Sequence, residues 1–112
     1  MIYLASPYSH SDAAVRQMRY EKAARWAMCF IRQGIPAFAP IPFIHPNLPY
    51  LEGVKTDAAT WQEFNTGFLC HCSAMYVLML DGWEHSLGLQ QEIKLAKELY
   101  IPITYVDENY IA

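Results

Sequence analysis

The chain has 112 residues, the size of one domain, and 54% of them are hydrophobic against 17% charged. This composition is too apolar for a disordered chain, and charged residues are scarcer than the globular average of roughly 25%. The net charge is −3 and no basic stripe is present, which argues against nucleic acid as a partner.

Targeting signals and cysteine usage point to an intracellular protein. No run of about 18 apolar residues occurs, so neither a membrane span nor a membrane partner is predicted. The start, MIYLASPY, lacks the charged region of a signal peptide, and the three cysteines are an odd number. We therefore expect a reduced, cytoplasmic protein. The scarcity of charge also predicts apolar surface buried between subunits, in a homodimer or a higher homo-oligomer.

The first half of the sequence predicts a strand, a long helix and a short strand. The apolar run Ile2–Ser6 ends at Pro7 and predicts a buried strand. Ser9–Asp12, SHSD, has the S-x-x-D spacing of a helix start, and the helix should run to Gly34, a glycine suited to the C′ position. The proline-interrupted segment that follows allows only a short strand around Ala37–Ala39, at a sheet edge.

The second half contains the clearest strand. A proline-rich loop, IHPNLPYLEGVKTD, leads to a candidate helix, AATWQEFNTGFLCHC. The unbroken apolar run Ala74–Leu80 predicts a strand buried on both faces, and a loop, a helix ending near Leu99 and a last strand, IPITYV, follow. The alternation predicts a three-layer α/β domain. Its flavodoxin- or Rossmann-like parallel sheet has helices on both faces, and Ile2–Ser6 lies beside Ala74–Leu80.

The site is predicted at the carboxyl ends of the strands, where ligands of such sheets bind. The loops concerned are Ser6–Asp12 and Asp81–Gly88. If Ser86 caps the last helix, Glu92 lies in its second turn, where the helix dipole stabilises a carboxylate by about 0.3–1 kcal/mol. The free N–H groups of Leu87–Leu89 suit a phosphate. On spacing alone, an ion pair of Glu92 with Lys94, Lys97 or Arg25 on a solvated face is the simpler alternative.

Three segments carry a family resemblance: IYLASPYSH, GWEHSLGLQQE and the following A-K-E-L-x-I-P. Together they resemble the nucleoside 2-deoxyribosyltransferase-like superfamily over nearly the whole chain, as one domain spanning residues 1–112, most closely its small bacterial and phage branch. The S-L-G-x-x-x-E element is also similar to that of the 2′-deoxynucleoside 5′-monophosphate N-glycosidases. The resemblance implies cleavage or exchange of the N-glycosidic bond of a (deoxy)nucleoside or its 5′-monophosphate, without cofactor or metal.

The resemblance also implies residue roles. Glu92 is the nucleophile that forms a covalent glycosyl intermediate, Tyr3 orients it, and Ser86 contacts the 5′-phosphate. Further candidates for substrate contact or orientation are Ser6, Pro7, Tyr8, Arg16, Arg19, His45, Trp83 and Gly88. Without the family, Tyr3 reads as a core aromatic residue, Ser86 as a helix cap and the arginines as a solvated helix face.

Asn65 departs from the family pattern, because related sequences usually carry Asp at this position. Asn exchanges hydrogen bonds but gives no proton at neutral pH, so Asp81 or Glu84 would have to protonate the leaving base. The alternatives are a nucleotide-binding module with little or no turnover, and a metal-dependent hydrolase. The latter would use the loop histidines His10, His45 and His85.

Overall fold

The computed structural model describes residues 1–109, apart from the side chain of Ala58, and contains one parallel sheet of order β2-β1-β3-β4. The strands are β1 (Ile2–Ala5), β2 (Ala37–Phe38), β3 (Ala74–Met79) and β4 (Ile103–Asp107). The helices are α1 (Ala13–Arg32), α2 (Pro40–Ile44), α3 (Ala58–Leu69) and α4 (Leu87–Glu98), with 3₁₀ segments at His45–Leu51 and Trp83–His85. Within these residues, no helix is long and apolar enough to cross a membrane.

The two central strands are the two that the sequence predicted as neighbours. β1 and β3 pair in parallel, with Ile2 opposite Ala74 and Ala5 opposite Val77. The short strand β2 lies at the sheet edge beside β1, also as predicted. This confirms the three-layer α/β fold.

Each face of the sheet carries its own core, because side chains alternate along the strands. On one face, α3 and α4 cover Tyr3 and Ala5, and the buried cluster also contains Leu69, Met75, Val77, Leu89, Ile93 and Ala96. On the other face, α1 covers Leu4, and the cluster also contains Trp26, Ala27, Phe30, Leu78, Leu80 and Val106. Tyr3 therefore points toward α3 and α4, which places its hydroxyl on the side of the predicted site.

The predicted start of α1 is confirmed, since the helix begins at Ala13, directly after the SHSD segment. Its cap is Asp12, whose carboxylate accepts the Ala14 N–H at 2.8 Å. One local prediction was wrong: the segment IHPNLPYLEGVKTD is not simply a loop, because a 3₁₀ segment runs from His45 to Leu51. Just before it, Pro40 begins the short helix α2, where its fixed φ suits the first helical turn. The C′ glycine, Gly34, is confirmed by its φ of 74°.

Arg19 ties together the two loops that follow β1 and β3. Its side chain is buried, and its guanidinium donates to the carbonyls of Ser9 at 3.0 Å and Asp81 at 2.9 Å. Gly82, next to Asp81, has φ 84°, and a Cβ added there would lie 2.9 Å from the Arg19 guanidinium. The hydrogen bond from Arg19 to Asp81 therefore holds the second loop in place, and the glycine at position 82 leaves room for the guanidinium.

We expect Gly82→Ala to lower the free energy of unfolding by about 1–2 kcal/mol or more, from the positive φ alone and before any displacement of Arg19. The control is Gly67→Ala in α3, where an added Cβ meets nothing within 4 Å. It should raise stability by about 0.5–1 kcal/mol, because alanine favours helix. Urea denaturation measures both, and equal shifts in the two variants would contradict the tight contact at Gly82.

Candidate active site

A cleft of about 540 Å³ lies beyond the carboxyl ends of the central strands. The loop after β1, the helices α3 and α4 and the segment after β2 form its walls, with Ser6, Asn65 and Glu92 among the lining residues. Its volume falls within the roughly 300–1,000 Å³ of small-molecule sites. This is the location that the parallel sheet predicts.

A second cleft of about 430 Å³ lies between α1 and β4, on the opposite face of the sheet. Lys22, which lines it, is paired with Glu108 at 2.8 Å. None of the residues predicted to carry the chemistry lines this cleft. We therefore take the cleft at the strand ends as the candidate active site.

Glu92 and Tyr3 form a hydrogen-bonded pair at the base of this site. Tyr3 is fully buried, and its hydroxyl donates to Oε2 of Glu92 at 2.5 Å. Among residues 1–109 the ion pairs are Lys22–Glu108 and Lys55–Asp57, so no lysine or arginine neutralises Glu92 there. The alternative of a solvated ion pair for Glu92 is wrong, and the predicted contact with Tyr3 is present.

The pKa values of both members of this pair are raised, chiefly by burial. Burial raises the pKa of Glu92 from 4.5 to about 7, although the hydrogen bond from Tyr3 lowers it in part. Burial, followed by the nearby Glu92 charge, raises the pKa of Tyr3 well above its usual range. Tyr3 therefore remains a proton donor, and near neutral pH Glu92 exists in both charge states. Such shifts are typical of active-site acids.

Ser86 is a helix cap and also lines the cleft. Its Oγ accepts the Leu89 N–H at 3.4 Å, which makes it the cap of α4. Ser86 and Gly88 also line the cleft, on the same helix as Glu92. The positive end of the α4 dipole therefore lies at the wall of the cleft.

Asn65, Ser6 and Tyr8 are also in the cleft, as the predicted roles require. Asn65 lies on α3, and its buried Oδ1 has no hydrogen-bond partner among the residues that the structure describes. An unpaired buried acceptor is costly, so a ligand hydroxyl or amino group that reached it would bind favourably.

Eight predicted residues lie outside the cleft lining: Tyr3, Pro7, Arg16, Arg19, His45, Asp81, Trp83 and Glu84. Tyr3 reaches the cleft only through its hydrogen bond to Glu92, and Arg16 donates to the backbone carbonyl of His10. Pro7 is buried in the core, and Arg19 is engaged with backbone carbonyls, including that of Asp81. Trp83 packs against Tyr105, with ring centroids 5.8 Å apart. His45 lies behind Tyr8, to which it is hydrogen-bonded.

Sequence reasoning missed other lining residues, mainly on α3 and on the segment after β2. Trp61 and Leu69 line the cleft on either side of Asn65, and the i, i+4, i+8 spacing of these three residues is the helical signal that would have found them. His85 also lines it, although the sequence raised it only as a metal ligand. In the described part of the chain, no three His, Cys, Asp or Glu side chains form a group that could hold a metal.

The raised pKa predicts that Glu92→Gln stabilises the fold at high pH. Above pH 4.5 the unfolded chain releases this proton, whereas the folded chain keeps it up to about pH 7. Wild-type stability therefore falls as pH rises through this window, and the full cost of about 2–3 kcal/mol is present above it. Glu92→Gln removes this cost without changing the side-chain shape.

Urea denaturation should show Glu92→Gln more stable than wild type at about pH 8.5 and little changed at about pH 4. Glu98→Gln, an exposed change on the same helix, is the control and should differ little at either pH. A Glu92→Gln effect independent of pH would mean that burial of its charge does not destabilise the protein.

Comparison with known protein families assigns the chain to one of them. A search of curated protein sequences gave no significant match. A family match, in contrast, extends over residues 1–108, so it includes all the strands, the helices and every residue that lines the cleft. The description of that family names no activity. On this match the chain belongs to the family described as "Domain of unknown function (DUF1937)".

Proposed function

We propose that this protein cleaves or exchanges the N-glycosidic bond of a (deoxy)nucleoside or its 5′-monophosphate, through a covalent intermediate on Glu92. The observation that carries the proposal is the Tyr3–Glu92 pair, a partly buried carboxylate held by one hydroxyl at the wall of a ligand-sized cleft. The resemblance to nucleoside 2-deoxyribosyltransferases supports it independently, since the same two residues match its nucleophile and orienting tyrosine.

The chemistry needs an anionic oxygen fixed near the anomeric carbon. Glu92 attacks that carbon as the base departs with the electrons of the C–N bond, and the oxocarbenium-like transition state is stabilised by the carboxylate. A second base or water then attacks the glycosyl ester, loses a proton and regenerates Glu92. Tyr3 leaves one carboxylate oxygen free to react, because it binds only Oε2.

The cleft lining suits a flat base attached to a polar sugar. Ile41, Ile44 and Trp61 provide an apolar wall against which a base can pack, and Ser6 and Asn65 offer polar atoms to sugar hydroxyls. At the other wall, His85, Ser86 and Gly88 surround the first turn of α4, where a 5′-phosphate would be favoured. Assays of nucleosides against their 5′-monophosphates decide between these substrates.

The cleft mouth supports a homo-oligomer as part of the proposal. Large apolar side chains on the segments around it are exposed, including Tyr50 at 84% and Leu87 at 81%. Apolar side chains that remain exposed beside a cleft are the kind of surface that protein interfaces cover. A second subunit of the same chain would cover them and narrow the cleft.

Binding without turnover is the second candidate function, and Asn65 favours it. Its amide lies in the cleft at the position where an acid was expected, and an amide cannot protonate the leaving base. Release of free base from a panel of deoxynucleosides and monophosphates, followed by chromatography, separates the two candidates. Ligand binding without any base release would support the second.

Glu92→Gln should abolish base release while ligand binding, measured by calorimetry, stays within a few-fold of wild type. The amide keeps the shape and the hydrogen bond from Tyr3 but cannot act as a nucleophile. Mass spectrometry of wild type quenched during turnover should show the mass of the glycosyl adduct, and the variant should not. Base release by Glu92→Gln at near wild-type rates would exclude Glu92 as nucleophile.

Tyr3→Phe should retain activity but shift the pH at which kcat/KM rises. In the wild type, activity should rise with pH through about 7, as Glu92 ionises. Loss of the Tyr3 hydroxyl removes the bond that lowers the Glu92 pKa, so the rise should shift to higher pH. Tyr100→Phe, which changes a side chain that is 94% exposed, is the control and should leave the profile in place. An unshifted profile in Tyr3→Phe would contradict this role of Tyr3.

A further inference from the structure

Tyr8 is linked to an imidazole that lies outside the cleft lining. Its hydroxyl lies 2.6 Å from Nδ1 of His45, and Tyr8 itself lines the cleft. Nε2 of His45 lies 2.9 Å from Oε1 of Gln17, and the imidazole stacks on Tyr20 with centroids 4.4 Å apart. The chain of hydrogen bonds therefore runs from the cleft to the surface side chain of Gln17.

This arrangement can move one proton toward the cleft. With Nε2–H donating to Gln17, the neutral imidazole accepts the Tyr8 proton at Nδ1. A protonated imidazole instead donates from Nδ1 to the Tyr8 oxygen, which leaves the hydroxyl proton free to point into the cleft. Burial raises the pKa of Tyr8, against a smaller lowering by the Arg16 charge, so Tyr8 does not lose its proton unless another is supplied.

The proposed reaction leaves one proton unaccounted for. A neutral base departs readily only if it is protonated as the C–N bond breaks. Asn65 has no proton to give, and Glu92 is used as the nucleophile. The side chains of Asp81 and Glu84 are exposed and lie outside the cleft lining, so neither replaces the missing acid.

We propose that Tyr8 donates this proton to the leaving base and is resupplied by His45, an inference that rests on the proposed function. As the C–N bond breaks, its electron pair goes to the base and Glu92 bonds to the anomeric carbon. The Tyr8 proton passes to the base, and the Nδ1 proton of protonated His45 passes to the Tyr8 oxygen. The products are a neutral base, a neutral glycosyl ester and neutral His45, so charge and protons balance.

The test compares two leaving groups. The first substrate is 2′-deoxyguanosine, whose base needs a proton, and the second is 7-methyl-2′-deoxyguanosine, whose cationic base leaves as a neutral molecule without one. If the wild type accepts only pyrimidines, 2′-deoxyuridine and its 5-nitro derivative form the equivalent pair, because the nitro group stabilises the departing anion. Rates are taken above the spontaneous rate of each substrate.

Tyr8→Phe should lower kcat for the substrate that needs protonation by roughly 10²-fold, the usual contribution of a general acid, and change the other by only a few-fold. His45→Gln keeps hydrogen bonding to Tyr8 but carries no transferable proton, so it should show the same selectivity with a smaller loss. Tyr100→Phe changes an exposed tyrosine and is the control, so kcat for both substrates should be unchanged. If Tyr8 and His45 acted only through packing, the variants would lower kcat equally for both substrates.

Equal losses on both substrates in Tyr8→Phe would overturn the relay. So would a selective loss in His85→Gln with none in Tyr8→Phe, which would assign the proton to His85, the other titratable side chain at the cleft wall. Failure of the proposed function looks different. In that case Glu92→Gln retains activity, or the wild type releases no base from any substrate, and the relay is overturned with it.

Discussion

The hydrogen bond between Tyr3 and Glu92 is the contact on which the candidate site depends. It joins residues 89 positions apart, one on the first strand and one on the last helix. It forms only if β1 lies in the middle of the sheet and α4 packs on the face toward which Tyr3 points. A one-residue slip of β1 would exchange Tyr3 for Leu4, which belongs to the opposite core. The register of β1 therefore decides whether Tyr3 can contact Glu92 at all.

Two opposing effects act on the pKa of Glu92 at this contact. Burial disfavours the charge, whereas the Tyr3 hydroxyl stabilises it, and burial has the greater influence on the pKa. A stable fold has no need of an acid here, since the surrounding helix face is apolar, with Leu89, Ile93 and Ala96 buried. Residues whose burial disfavours their charge are typically found at functional sites, where they are kept at a cost in stability.

Local patterns in the sequence predicted the strands and the start of α4. The unbroken apolar composition of Ala74–Leu80 indicates a buried strand directly. The cap at Ser86 and the position of Glu92 in the second turn of α4 follow from spacing within a few residues. Arg19 was beyond such reasoning. It looks like a solvated helix residue, but its partner Asp81 is 62 positions away, and only the folded chain brings them together. The cap of α1 was open for a different reason, since Ser9 and Asp12 both suit a cap and spacing alone does not choose between them.

The loops around the cleft are held as one unit by contacts that the sequence did not predict. Arg19 binds the carbonyl of Ser9 and that of Asp81, which joins the loop after β1 to the loop after β3. The first of these loops also carries Tyr8, which His45 joins to the 3₁₀ segment after β2. Loops from three successive strands are therefore fixed relative to one another. Such a frame limits the rearrangement needed when a ligand binds, which is the advantage of a preorganised site. It also follows that a change at Gly82 acts on Tyr8 through Arg19, although neither Gly82 nor Arg19 lines the cleft.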